Sequence, residues 1–184
     1  KAPAPDKTAF DFSIPAQEQA FNIANKAFQT ASDNVGSAMG IYGLSSMVFA
    51  LLLTFYAAKR SVNRKLVHMF SLVAGGVGFL LMGLGQASLL NISFILIGIS
   101  WGSILSMPYA MLSSSVDEKR MGMMMGLFNM FIVIPQIIAA LGGINFLSEL
   151  ISKSSIAPMI LAGISLILGG LSNFLINDKK VIIG

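Results

Sequence analysis

Cysteine is absent from this 184-residue chain, and histidine occurs only once, at His68. The absence of cysteine excludes disulfides, thiolate metal sites and a cysteine nucleophile. One histidine and eight acidic residues also provide too few ligands for a protein metal cage. The sequence shows no catalytic dyad and no phosphate-binding loop, so we expect neither an enzyme nor a bound cofactor.

Charged residues are scarce as well: they make up 11% of the chain, whereas soluble domains carry about 25%. Hydrophobic residues make up 55%, and the mean hydropathy is +0.78. Five runs contain no Asp, Glu, Lys or Arg, namely residues 36–58, 66–87, 91–113, 122–144 and 156–176. At about 1.5 Å per residue, each run can cross the roughly 30 Å hydrocarbon core as a helix. We therefore predict an all-α, polytopic bundle in the lipid bilayer, with residues 34–177 as its transmembrane region.

Residues 1–33 contain no such run, and three prolines fall in their first half. Apolar residues then recur at helical spacing, at Phe21, Ala24, Phe28 and Ala31. We predict a short interfacial helix that leads into the first span. A flexible tail is the alternative for this segment.

The net charge of +4 predicts an orientation rather than nucleic-acid binding, because the basic residues lie at the ends of the spans. Two connections and the tail carry them: Lys59, Arg60, Arg64 and Lys65; Lys119 and Arg120; Lys179 and Lys180. The connections on the opposite side contain only Lys153. The positive-inside rule then places the basic connections and the tail, residues 178–184, in the cytoplasm. Residues 1–33 lie outside, and we expect the plasma membrane, which is the inner membrane in bacteria.

Three glycine pairs at four-residue spacing lie at or within the spans: Gly36 and Gly40, Gly98 and Gly102, Gly122 and Gly126. Such spacing lets two helix backbones approach closely in lipid, where the hydrophobic effect does not drive helix pairing. We interpret these pairs as packing surfaces.

The fourth span carries two carboxamides, Asn129 and Gln136, seven residues apart on one helical face. Lipid cannot satisfy their hydrogen bonds, so they face the bundle interior or a water-filled cavity. Two interpretations are equally open. The amides form hydrogen bonds between helices, or they line a pathway for a polar, uncharged solute.

Other residues within the spans are also candidates for lining a solute pathway. Trp101 lies at mid-depth, where its N–H needs a partner; it serves either as an aromatic platform for a sugar ring or as ordinary packing. Pro108 and Pro135 each remove a backbone donor and are predicted to bend their helices. We name five pathway-lining candidates, which are Trp101, Tyr109, Asn129, Gln136 and Tyr42. The spans hold no Asp, Glu, Lys or Arg to carry a coupled proton, and we interpret His68 as an interfacial residue rather than a proton relay.

Several short runs resemble one transporter group closely. They are Met-Pro-Tyr-Ala-Met-Leu-Ser at 107–113, Arg-Met-Gly at 120–122, Gly-Leu-Phe-Asn at 126–129 and Phe-Ile-Val-Ile-Pro-Gln at 131–136. Together they look like the sucrose/maltose–proton symporters of the major facilitator superfamily, which are close to the glycoside–pentoside–hexuronide:cation symporters. Close similarity covers about 30 residues.

This resemblance implies that the five spans are similar to helices 8–12 of a twelve-helix fold, and that the chain is a C-terminal fragment. The eighth, tenth and eleventh helices then face the central pathway. It further implies a sugar as solute, alternating access, and a coupling ion, proton or sodium, bound through the missing N-terminal half. Arg64 and Lys65 look like the basic end of the family's cytoplasmic loop, with Asn63 where glycine is usual. The alternative is a small structural or assembly protein of the membrane that transports nothing.

Overall fold

The computed structural model describes residues 3–143, 146, 150, 154 and 156–176, and helix is the regular secondary structure that these residues form. The five long helices are α1 (Pro15–Ala57), α2 (Arg64–Gly83), α3 (Leu90–Ser113), α4 (Met121–Ile138) and α5 (Ala157–Ser172). Within the described residues, five helical segments are long and apolar enough to cross a membrane. The predicted all-α class is confirmed. The predicted tail at 178–184 and the basic residues Lys153, Lys179 and Lys180 lie outside the described residues.

The first helix differs from the sequence prediction. The separate interfacial helix and the span at 36–58 form one continuous helix, Pro15–Ala57, of 43 residues. No proline follows Pro15 until Pro108, so nothing in the sequence forces a break. Forty-three residues are more than the roughly 20 that a single crossing of the hydrocarbon core requires.

Two other helices end earlier than the apolar runs predict. Helix α2 stops at Gly83, because Gly85 adopts a φ of 69° that few other residues tolerate. Helix α4 stops at Ile138 and continues as a π-turn, Ala139–Gly143, in which Gly142 has a φ of 96°. A glycine with a positive φ lies two residues beyond the end of α2 and four residues beyond the end of α4.

The chain divides into two compact units, Lys1–Gly40 and Ile41–Gly184. In the first unit an aromatic cluster orders the residues ahead of α1. The rings of Phe10 and Phe12 meet the ring of Phe21 edge-on, with centroids 5.5 and 5.1 Å away. Asp6 accepts hydrogen bonds from the backbone and side chain of Thr8, and these lower the pKa of its carboxyl group.

Helix α2 is the best-packed helix of the second unit, with α3 on one side and α5 on the other. Glycines permit both contacts. A Cβ on Gly75 would lie 2.5 Å from Ser100 Oγ of α3, and a Cβ on Gly76 would lie 2.7 Å from the carbonyl oxygen of Gly163 in α5. Both positions are closed to any side chain.

Helices α1 and α3 also meet at small residues. Ser45 Oγ donates a hydrogen bond to Ile95 O at 3.2 Å, and a Cβ on Gly102 would lie 3.0 Å from Ser46 O. A Cβ on Gly98 would clash with Ser45 in the same way. The prediction that Gly98 and Gly102 form a packing surface is confirmed.

The other two glycine pairs do not pack against a neighbouring helix among the described residues. A Cβ on Gly36, Gly40, Gly122 or Gly126 would meet nothing within 4 Å among the described residues. Helix α4 as a whole contains no buried residue. Among the described residues, it contacts the other long helices mainly at α3.

Candidate functional site

Helix α3 carries two of the predicted pathway residues, Trp101 and Tyr109, and each contacts a candidate on a different helix. The indole of Trp101 lies 6.5 Å from the ring of Tyr42 in α1, with the planes tilted by 48°. Trp101 keeps 43% of its surface exposed, and within the described chain its N–H donates to no partner. This pair offers an aromatic face and an unused hydrogen-bond donor.

The second contact joins α3 to α4. Tyr109 Oη donates a 2.7 Å hydrogen bond to Asn129 Oδ1, and the Tyr109 ring packs edge-on against Phe128, 5.0 Å between centroids. Asn129 thus forms the interhelical hydrogen bond that one of the two sequence interpretations requires. Its amide nitrogen still has two N–H donors to offer, because the contact uses only the oxygen.

Gln136 lies apart from the other four candidates. It is exposed on α4, about 10 Å along the axis from Asn129. Its side chain makes no hydrogen bond to any residue that the structure describes. An exposed amide on a helix of mean hydropathy 2.0 is unsatisfied in lipid, so this face requires water, a solute or another polar group.

Pro108 and Pro135 lie inside α3 and α4, as predicted, and each helix continues on both sides of its proline. Pro108 comes directly after the buried Met107. Pro135 is itself exposed and comes directly before Gln136. The bending itself stays a prediction.

The structure brings the candidates together as two pairs, Tyr42 with Trp101 and Tyr109 with Asn129, about 12 Å apart along α3. The five residues supply aromatic faces, amides and a phenol, and none is ionised at neutral pH. The described residues include no cluster of His, Asp and Glu that would hold a metal ion. Such a surface can bind a neutral, hydroxyl-rich molecule through stacking and hydrogen bonds.

The residues of the basic connection have a role that sequence reasoning missed. Arg64 and Lys65 form the first turn of α2. Arg64 Nη1 donates to Ala110 O at 2.7 Å, near the end of α3. Lys65 Nζ donates to Phe174 O and Ile176 O, at 2.9 and 2.8 Å, just beyond α5. These two cations donate hydrogen bonds to carbonyl groups near the C-terminal ends of α3 and α5. Their positive charge also opposes the negative ends of the two helix dipoles.

Sequence reasoning also missed a buried polar pair between α2 and α3. His68 Nδ1 lies 2.9 Å from Ser103 Oγ, and both residues are buried. His68 is therefore packed between α2 and α3, and its position at the membrane interface stays a prediction. The spacing of Ser93, Ser100 and Ser103 in the sequence could have indicated this polar contact, because it places three small polar residues on one side of α3.

Asn63 has an ordinary backbone conformation and caps a helix. Its φ is −78°, and its side chain accepts a 3.2 Å hydrogen bond from the backbone N–H of Leu66. It is an N-cap for α2, a role that asparagine fills well and glycine fills without a side-chain bond.

Comparison with known proteins gives one positive result. The family model described as Major Facilitator Superfamily matches residues 8–181. No curated protein and no solved structure matches the chain.

Proposed function

Since the chain belongs to the major facilitator superfamily, we propose that it carries a sugar, a disaccharide or related glycoside, across the membrane by coupled, alternating-access transport. Membership makes it an integral membrane protein of a transporter family that moves small solutes through the bilayer. The sugar, the coupling ion and the similarity to sucrose/maltose symporters are parts of the proposal.

One observation carries the proposal: α4 presents amides on an otherwise apolar and uncovered helix. Asn129 and Gln136 are both exposed, and Gln136 has no partner in the part of the chain that the structure describes. Leaving such a group unsatisfied in hydrocarbon costs several kcal/mol. A hydrated solute pathway along this face removes that cost.

The chemistry of the candidates favours a neutral, ring-shaped solute. Trp101 and Tyr42 provide aromatic faces on which the apolar face of a sugar ring packs. The amides of Asn129 and Gln136 donate and accept at once, which suits hydroxyl groups. A charged solute would require an opposite charge, and none of the five candidates provides one.

The packing is consistent with alternating access. Close glycine contacts and the Arg64 and Lys65 hydrogen bonds join α2, α3 and α5 into one well-packed group. Among the described residues, the Tyr109–Asn129 hydrogen bond joins α4 to this group. We propose that α4 moves relative to the group during transport, with Pro135 and Pro108 as bending points, and that a proton or sodium ion drives the cycle. The basic connections face the cytoplasm in this proposal.

A first test uses the single tryptophan as a reporter of binding. Sucrose, maltose and other glycosides are titrated into the purified chain while Trp101 emission is followed, with glycine betaine as a neutral non-sugar control. We expect a saturable change with at least one glycoside and none with the control. A folded protein that shows no saturable response to any glycoside would contradict the sugar assignment.

A second test measures uptake by cells that express the gene encoding the chain. Gln136→Ala removes one solute hydrogen bond, so we expect initial uptake to fall about fivefold to tenfold with unchanged membrane expression. Phe131→Ala, on the opposite side of α4, is the matched control and leaves uptake unchanged. Equal uptake by the Gln136→Ala protein and the unaltered protein removes Gln136 from the pathway.

A further inference from the structure

A basic cavity lies where α1 ends and α2 begins, and none of the proposed solute contacts lines it. Its volume is about 530 Å³. Three cations line it, Lys59, Arg60 and Arg64, and Leu53 and Met107 contribute apolar wall. Among the described residues around this cavity, none is acidic. The described lining thus has a net positive charge, which favours an anion.

Among the described residues, two of the three cations have no partner that neutralises their charge. The side chains of Lys59 and Arg60 are exposed, and neither makes a hydrogen bond or ion pair anywhere in residues 3–143 or 156–176. Arg64 donates to Ala110 O and so fixes its guanidinium at the cavity wall. One positioned cation and two adaptable ones suit a phosphate group, which offers several acceptor oxygens.

An apolar groove adjoins this cavity. It has a volume of about 590 Å³ and shares Ser61 and Val62 with the basic cavity. Along α2 it follows one helical face from Leu66 to Phe70, and it reaches Phe49 of α1. From Asn63 to Ser71, which also line the groove, the distance along the helix axis is about 12 Å. The groove is therefore long enough to hold the upper part of an acyl chain.

We propose that cavity and groove together bind an anionic phospholipid, with its phosphate among Lys59, Arg60 and Arg64 and an acyl chain along α2. Basic pockets between transmembrane helices on the cytoplasmic side are a known setting for acidic headgroups. The predicted orientation places these three cations on that side, where anionic lipids are concentrated. A soluble phosphate would use the cavity but gains nothing from the groove, and a zwitterionic lipid would use the groove but gains little from the charges.

Native mass spectrometry of the purified 184-residue chain tests the proposal. The protein is equilibrated in detergent with phosphatidylglycerol, with phosphatidylcholine of the same acyl chains, or with inorganic phosphate alone. We expect one retained phosphatidylglycerol per chain at concentrations where phosphatidylcholine is lost. The double variant Lys59→Gln/Arg60→Gln weakens retention roughly 30-fold, about fivefold for each cation removed.

The chain offers a matched control in Lys119→Gln/Arg120→Gln, which removes an equally exposed Lys-Arg pair outside the cavity. This variant retains the lipid as the unaltered protein does. Each single variant, Lys59→Gln or Arg60→Gln, weakens lipid retention about fivefold. The single variants replace the double variant in the test if the double variant loses helix content by circular dichroism. Phe70→Asn tests the groove and weakens retention of phosphatidylglycerol while leaving the charges in place.

Three results overturn the proposal. Equal retention of phosphatidylcholine shows that charge does not select the lipid. Equal losses in the two Lys-Arg double variants show non-specific attraction to the basic surface. Occupancy by inorganic phosphate at millimolar concentration, with no lipid retained, shows an anion site without a lipid.

Discussion

Helices α2 and α4 are nearly equal in hydropathy, 1.9 and 2.0, yet they occupy opposite extremes of packing. In its most apolar window α2 has 39% of its residues buried, whereas α4 has none. Both carry glycines at close spacing. Those of α2 lie against Ser100 and Gly163, and those of α4, Gly122 and Gly126, lie against nothing within 4 Å among the described residues.

The difference shows that hydropathy places a helix in the membrane but does not say what surrounds it. In lipid, helices associate through shape and hydrogen bonds, so a glycine matters only where a second backbone is near. In α2 the polar residue on the packed face, His68, is paired with Ser103. In α4, Gln136 is exposed, and it lies away from the Asn129 contact with α3. Helix α2 therefore has protein neighbours for its polar residue, whereas on α4 our proposal places Gln136 against a polar environment.

The largest effect is expected from closing a glycine contact. Gly76→Ala places a Cβ 2.6 Å from Ile167 Cγ1 and 2.7 Å from Gly163 O. Backbone of α5 must shift, so we expect a loss of about 1–3 kcal/mol in stability, seen as a lower melting temperature in detergent. Gly126→Ala is the matched control in α4 and changes stability by less than about 0.5 kcal/mol. A comparable loss in both variants would mean that α4 is as closely packed as α2.

A somewhat smaller effect is expected from the buried pair between α2 and α3. His68→Ala leaves Ser103 Oγ without its partner in a buried site, which costs about 1–2 kcal/mol. Ser103→Ala costs a similar amount, and the double variant loses less than the sum because the pair is one interaction. Thermal unfolding of the four proteins measures this coupling. Strict additivity would show that the pair contributes nothing to the α2–α3 contact.

The smallest effect on stability is expected at the matching contact of α4. Tyr109→Phe removes the hydrogen bond to Asn129 but keeps the ring against Phe128. Since interhelical side-chain hydrogen bonds average about 0.6 kcal/mol in membranes, and this one is exposed, we expect a change no larger than that. The same unfolding assay measures it. A loss of stability larger than that of His68→Ala would contradict this expectation. The Tyr109–Asn129 contact of α4 would then contribute more stability than the His68–Ser103 contact of α2.

The helices themselves were predictable because uncharged runs of about 20 residues leave few alternatives in lipid. Their ends were not: Pro15 begins α1 well before the apolar run at 36–58, and Gly85 ends α2 early through its backbone conformation. The sequence identified Tyr109 and Asn129 as candidates but not as partners. That contact depends on how α3 and α4 are placed, which no local pattern encodes.

The same limit applies to the basic residues. The sequence placed Arg64 and Lys65 in a connection, whereas the structure shows them holding carbonyls near Ala110 and Phe174, about 46 and 109 residues away in the chain. Contacts at such separations depend on tertiary packing. Glycine spacing likewise marked Gly98 with Gly102, which pack, and Gly122 with Gly126, which are open, without distinguishing the two cases.

Cysteine accessibility tests the central claim, a polar face on α4, most directly, because the natural chain contains no cysteine to interfere. Asn129→Cys and Gln136→Cys lie on the proposed face, and Phe131→Cys and Ile138→Cys lie on the other side at the same seven-residue spacing. A charged thiol reagent reacts with the thiolate, which forms only where water reaches the sulfur. In bilayers the account predicts labelling at 129 and 136 at least about tenfold faster than at 131 and 138. Equal protection of all four positions, or faster labelling at 131 and 138, would contradict it.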